Sequence, residues 1–269
     1  MTFDLNVFVS GGCAGTAVDV TLFPLDTIKT RMQSKQGFKA AGGFNGIYAG
    51  LGPVALGSAP GAAVFFFSYE SFKSLCEPRA GERYLPLVHM SAACVGEVTS
   101  CAIRVPIEVI KQRAQTNSAM SSVSILRNVM AQDGFRGLYR GYLATVQREI
   151  PFSVLQYPLW EGMKRTWANY QGSALSGWQS ALCGALAGAF SAAVTTPLDV
   201  AKTRIMLAPK GCVEAKGHMP TVVRLVYREA GLAGIFAGVI PRVCWIGIGG
   251  FVYFGVYDSL RNFFHQRDT

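Results

Sequence analysis

The chain has 269 residues, half of them hydrophobic and 15% charged, against about a quarter charged in soluble domains, with a mean hydropathy of +0.28. That balance argues against a soluble globular domain and for a membrane protein. The net charge of +9 comes without a Lys/Arg run or nucleic-acid motif, so it fits a basic protein beside anionic lipid and not a nucleic-acid binder.

The N-terminal stretch MTFDLNVFVSGG has neither a signal peptide nor an Arg-rich transit pattern, so any targeting is expected to be internal. The first long apolar segment then carries FPLDTIKTR at 23–31. A polar loop, 34–50, leads to Tyr48-Ala49-Gly50 and a second apolar segment, uncharged from Leu51 to Tyr69. It closes on Tyr69-Glu70-x-x-Lys73. The same order returns as VPIEVIKQR (105–113), Tyr139-Arg140-Gly141 and Trp160-Glu161-x-x-Lys164. It returns again as an uncharged run over 173–198, TPLDVAKTR (196–204), Phe236-Ala237-Gly238 and Tyr257-Asp258-x-x-Arg261.

Three signals recurring in one order define three repeats, 1–80, 81–172 and 173–269. Each reads as a long helix with a proline, a polar loop with a short helix, and a second long helix. The expected fold is therefore an all-α membrane protein, one transmembrane domain of six helices around a pseudo-threefold axis along the membrane normal. Both termini should lie on one side. The loops 34–50, 116–138 and 207–236 hold eight basic residues against three acids, and the opposite side three against four, so the loop side is the inner one. Single charges interrupt the other apolar stretches, as expected of helices lining an aqueous space. Small residues at helical spacing (Gly11/Gly15, Gly57/Gly61, Ala92/Gly96, Gly184/Gly188) fit close helix packing. Seven scattered cysteines, without metal-like spacing, read as small buried residues and not as a disulfide framework. No cofactor or metal site is indicated.

Why would a greasy helix carry proline, acid and base? At about 100° per residue from the proline, the acid falls near 200°, the base at +5 near 140° and the residue at +9 near 180°. Asp26, Lys29 and Gln33 thus share a face, as do Glu108, Lys111 and Gln115, and Asp199, Lys202 and Met206. The base at +7 (Arg31, Arg113, Arg204) points away, to loops or lipid headgroups. Three acids and three bases about a threefold axis can close a neutral ring of ion pairs, which a membrane interior makes close to obligatory. The glutamines can brace it. Met206 cannot, so the third part should be weaker. Glu70/Lys73, Glu161/Lys164 and Asp258/Arg261 form a second neutral set at the other end. Two rings at two ends of one cavity read as two gates.

Charges outside the rings are candidate ligand contacts. Asp19, Glu97 and Arg104 fall near 220°, 180° and 160°, on the face that bears the ring. On the second helices Pro53, Pro60, Pro151, Pro158 and Pro241 are expected to interrupt the phase. No nucleophile–base pair, metal cluster or phosphate loop suggests an enzyme, and His89, His218 and His265 stand isolated.

P-x-[DE]-x-x-[KR]-x-[RK] three times, with an aromatic-acid-x-x-base on each second helix, resembles the mitochondrial carrier family over the whole chain. The resemblance implies an inner-membrane, multi-pass transporter alternating between a matrix-side and a cytoplasmic-side gate. It implies matrix partners Asp26–Lys111, Glu108–Lys202 and Asp199–Lys29. The cytoplasmic partners would be Lys73–Glu161, Lys164–Asp258 and Glu70–Arg261, flanked by Tyr69 and Tyr257. It places substrate contacts at Gly57, at Arg148-Glu149, and at Trp245 with Arg242 one turn away. A glycine at 57 would leave room for a bulky group. It also implies a monomer with bound membrane lipid such as cardiolipin. Ala49 and Ala237 stand where the family often has a base, and no acid-Gly precedes Tyr48.

Mixed signs in the cavity suit a ligand with both a carboxylate and positive charge, and Trp245 can stack on a ring or a cation. Stretches such as GEVTSCAIRVPIEVIKQRAQ and REIPFSVLQYPLWE resemble the branch of the family that carries S-adenosylmethionine. That implies S-adenosylmethionine as cargo, exchanged for S-adenosylhomocysteine. Another cationic amino-acid-like or adenine-containing metabolite, or a non-transporting adaptor on the same fold, stays open.

Overall fold

The computed structural model describes residues 5–79, 84–173 and 175–249. The described residues contain no strand. The long helices are α1 (Leu5–Gln33), α3 (Leu51–Cys76), α4 (Leu85–Thr116), α7 (Tyr142–Gln171) and α8 (Gly177–Leu207). A further helix, α10 (Val239–Gly249), opens the last segment. Between them lie short inner helices: α2 (Gly37–Ala40), α5 (Ser122–Asp133), α6 (Phe135–Leu138) and α9 (Met219–Ile235). α3 packs along α4, α7 along α8, and the proline-motif helices α1, α4 and α8 touch one another pairwise. Residues beyond 249, with Tyr257, Asp258 and Arg261, lie outside the described residues.

Among the described residues, α3 and α8 are long and apolar enough to cross a membrane by length and composition, or there are three such spans if α9 and α10 form one bent pair. Prolines do not end these helices. Pro24, Pro106 and Pro197 sit inside α1, α4 and α8, and Pro60, Pro151 and Pro158 inside α3 and α7. Pro53 and Pro241 fall in the first turns of α3 and α10, where the missing N–H costs nothing. The expected interruption of the second helices is therefore corrected: neighbouring helices hold proline-bearing spans continuous.

The aromatic-x-Gly triplets explain how each second helix begins. Gly50, Gly141 and Gly238 have φ of 92°, 86° and 74°, a region that only glycine enters cheaply. Each also lies against the proline-motif helix of the next repeat. A Cβ on Gly50 would stand 2.9 Å from the Lys111 carbonyl, one on Gly141 2.8 Å from Met206, and one on Gly238 3.2 Å from the Lys29 carbonyl. Repeat 1 rests on 2, 2 on 3, and 3 on 1, which closes the circle.

The apolar core occupies the inner half. Val200, Ala201 and Ile205 of α8 pack with Met219, Val222 and Val226 of α9, and Ala114 of α4 with Ile125 and Val129 of α5. The small-residue stripes do bring helices close. Ala92 is fully buried, Gly96 abuts the Phe65 carbonyl, and Gly188 abuts Ile246. Gly11 and Gly15 lie outside the residues whose packing is described. Six described cysteines are free, but only Cys101 and Cys183 are buried and Cys94 is exposed, so the expectation of uniform burial is corrected.

Candidate functional site: a gated central cavity

The proline-motif charges meet across helices in three ion pairs. Lys111 Nζ lies 2.7 Å from Asp26 Oδ2, Lys202 Nζ 2.7 Å from Glu108 Oε1, and Lys29 Nζ 2.8 Å from Asp199 Oδ2. These are the partners the resemblance implied. Two braces also form. Gln115 donates to Asp26 Oδ2 at 3.0 Å, and Gln33 donates to Asp199 Oδ2 at 3.0 Å while accepting from Thr203.

The third pair was expected to lack a brace. Met206 indeed turns away, into an apolar cluster with Cys101, Val105 and Val109. Yet Gln112 donates to Glu108 Oε1 at 3.1 Å, so the glutamine has moved from the neighbouring helix onto the acid's own. Gln112 lies four residues after Glu108, a spacing that shares one helical face and could have been read from the sequence.

The bases at +7 go to loops and not to headgroups. Arg204 pairs with Glu229 at 3.1 Å, and Arg113 approaches Asp133 at 3.7 Å. Repeat 1 offers no acid there. Instead Arg31 is fully buried and donates to the carbonyls of Gln115, Gly43 and Gly46. That solution accounts for the missing acid-Gly before Tyr48. Arg140, the base that Ala49 and Ala237 lack, pairs with Asp133 at 3.0 Å and donates to the Ala208 carbonyl.

Above the ring lies a cavity of about 600 Å³ whose wall includes Asp19, Gly57, Glu97, Arg104, Arg148, Arg242 and Trp245. Glu149 reaches it through its partners, accepting from Arg148 at 2.6 Å and lying 3.5 Å from Arg104. Arg104 also donates to Glu97 at 2.8 Å. Arg148 and Arg242 both approach Asp199, at 3.7 and 3.5 Å, and Arg242 donates twice to Thr195. Cavity charges and gate charges thus form one network that meets at Asp199.

Gly57 lines this cavity, and a Cβ there would meet the end of the Ile107 side chain of α4. The sequence reading also passed over Phe152, which lies under both guanidiniums, 6.0 Å from Arg148 and 5.9 Å from Arg242. No spacing rule singles out an aromatic between two arginines on different helices.

At the other end the described charges pair within their own helices. Lys164 lies 2.8 Å from Glu161 and 3.8 Å over the Trp160 ring. Lys73 lies 4.0 Å from Glu70. The cross-helix pair Lys73–Glu161 is not formed among the described residues, in contrast to the implied partners. Nor is His89 isolated: its Nδ1 lies 3.1 Å from Tyr69 Oη.

The family model described as mitochondrial carrier protein matches residues 4–79, 82–171 and 173–268. The chain belongs to the mitochondrial carrier family. Members of that family are transporters of the inner mitochondrial membrane, with multiple spans. The ring on α1, α4 and α8 is joined by all three of its cross-helix pairs. Among its relatives, the Mitochondrial S-adenosylmethionine carrier protein of Danio rerio is 56% identical over 253 residues, 94% of this chain and 95% of that protein. The protein of the same name from Mus musculus is 55% identical over 254 residues, covering 94% and 93%. The S-adenosylmethionine mitochondrial carrier protein homolog of Drosophila melanogaster is 49% identical over 256 residues, covering 94% and 90%.

Proposed function

We propose that this carrier moves S-adenosylmethionine into the mitochondrial matrix in exchange for S-adenosylhomocysteine, by alternating access between two ion-pair gates. One observation carries the mechanism: three cross-helix pairs close the matrix end while the described cytoplasmic charges pair only within their helices. This is the form that receives cargo from the cytoplasmic side. A ligand drives the change only by binding the intermediate more tightly than either closed form. Because Arg148 and Arg242 touch Asp199, a carboxylate drawn to them competes with the gate acid for the same guanidiniums. That is a direct route from occupancy to gate opening.

The substrate reading rests on the relatives' names and on the cavity's chemistry. Arg148 and Arg242 suit a carboxylate, Glu149 an ammonium, Asp19 or Glu97 a further positive charge, and Trp245 and Phe65 an adenine face. One chain supplies all three matrix pairs, so the working unit in this reading is a monomer, held in lipid that includes cardiolipin. Purified protein in liposomes loaded with S-adenosylhomocysteine is expected to take up labelled S-adenosylmethionine faster than empty liposomes. Equal uptake with and without a load would replace exchange by uniport. No uptake, from protein that exchanges other amino-acid or adenine ligands, would overturn the cargo, and no transport at all would favour an adaptor.

A further inference from the structure

Each ionic group of the cavity wall but one has an ion-pair partner among the described residues. Glu97 holds Arg104, Glu149 holds Arg148 and reaches Arg104, and Arg242 leans on Asp199. The gate pairs account for Asp26, Lys29, Glu108, Lys111, Asp199 and Lys202. Asp19, on α1, lines the same cavity and has no ion pair among the described residues. The charged groups that line the cavity with it are these paired ones: Asp26 and Lys29 on its own helix, Glu97, Arg104, Glu108 and Lys111 on α4, Arg148 on α7, Asp199 and Lys202 on α8, and Arg242 on α10. The cavity wall of α3, from Val54 to Phe66, has no titratable side chain.

The cavity is therefore polar in its arrangement. Three bases, Lys29, Arg148 and Arg242, crowd Asp199 with only Glu149 as a second acid, whereas the Asp19 carboxylate on α1 lines the cavity without an ion pair among the described residues. An amino-acid head group, carboxylate beside ammonium, fits the adjacent Arg148 and Glu149. A second cationic centre, the sulfonium, then falls to Asp19. The exchanged thioether has no such centre. Closing the cavity over an ionised Asp19 and an uncharged sulfur would bury a carboxylate without a ligand cation to match it, which is strongly unfavourable.

We infer that Asp19 couples the exchange to a proton. Its carboxylate neutralises the sulfonium on the inward leg and binds a proton from the matrix on the return leg, beside the neutral thioether. The proton leaves to the cytoplasmic side when the next cation arrives. Per cycle one monovalent cation enters, and one neutral zwitterion with one proton leaves, so no net charge crosses. Only the O–H bond of Asp19 forms and breaks. This rests on the substrate reading above.

The test uses the purified carrier in liposomes with a lumenal pH dye and a potassium diffusion potential set by valinomycin. External S-adenosylmethionine against internal S-adenosylhomocysteine should make the lumen alkaline by one proton per molecule taken up, at a rate the potential does not change. Exchange of S-adenosylmethionine for itself should leave the dye silent. A silent dye together with potential-driven hetero-exchange would overturn proton coupling while self-exchange kept the substrate reading intact. Absence of self-exchange would overturn the substrate reading, and this inference with it. Asp19→Asn should lower S-adenosylmethionine uptake at least about tenfold and abolish the proton signal. A variant that keeps both the uptake and the proton signal would sink the assignment to Asp19. The wild-type dye measurement decides the coupling even if this variant does not fold.

Discussion

Glu108→Gln leaves Lys202 without its anion. The Lys202 side chain is 3% exposed and that of Glu108 26%, so the lysine ends up buried and the amide faces the cavity. Removing one partner of a buried pair costs about 3–5 kcal/mol. The partial exposure of Glu108 puts this pair at the lower end, about 3 kcal/mol, or a shift of about 150-fold against the matrix-closed form. The assay is a double-mutant cycle, with Glu108→Gln, Lys202→Met and both together, followed by thermal unfolding in detergent. A coupling of about 2–3 kcal/mol is expected, because the double variant no longer buries a lone charge. The same cycle on Glu161 and Lys164, paired within one exposed helical turn, should give no more than about 0.5 kcal/mol. Additivity at Glu108 and Lys202 within about 0.5 kcal/mol would refute the reasoning, since the pair would then not hold the closed form together.

Gln33→Met copies the third repeat into the first and deletes hydrogen bonds to Asp199 and Thr203. It should cost about 2 kcal/mol, read as a lower unfolding temperature and a matrix gate more readily opened to a matrix-side thiol reagent. Gln112→Leu should weaken the Glu108 pair by about 1 kcal/mol, whereas a stability unchanged from wild type would mean that the brace is not used. Gly50→Ala should destabilise more than Gly37→Ala. Both need a positive φ, which costs about 1–2 kcal/mol, but only at Gly50 does the new Cβ meet the Lys111 carbonyl. In the matrix loop, burial tends to raise the Glu214 carboxyl, but its own backbone and Lys35 outweigh this and hold it below its usual 4.5. A lowered folded value means that its stabilisation is complete above that pH and fades as pH falls through the folded value. Glu214→Gln should therefore flatten the acid limb of a stability–pH profile.

The repeats, the three matrix pairs and the inward-facing charges were legible in the chain because helical phase is local. Residues two, five and nine after a proline share a face whatever surrounds them, and neutrality in a membrane then leaves few partners. The partner order came from resemblance, since spacing alone does not say which neighbour Asp26 meets. What only tertiary structure decided were contacts between segments with no fixed spacing. The fold seats Ile107 against Gly57, sets Phe152 under two arginines, and turns Arg31 onto three carbonyls where repeat 1 lacks an acid. It also decided that the α1, α4 and α8 charges pair across helices. The same six acids and bases at each end can pair across helices or within them, and the choice depends on how far apart the helix ends stand, a distance that no residue spacing records.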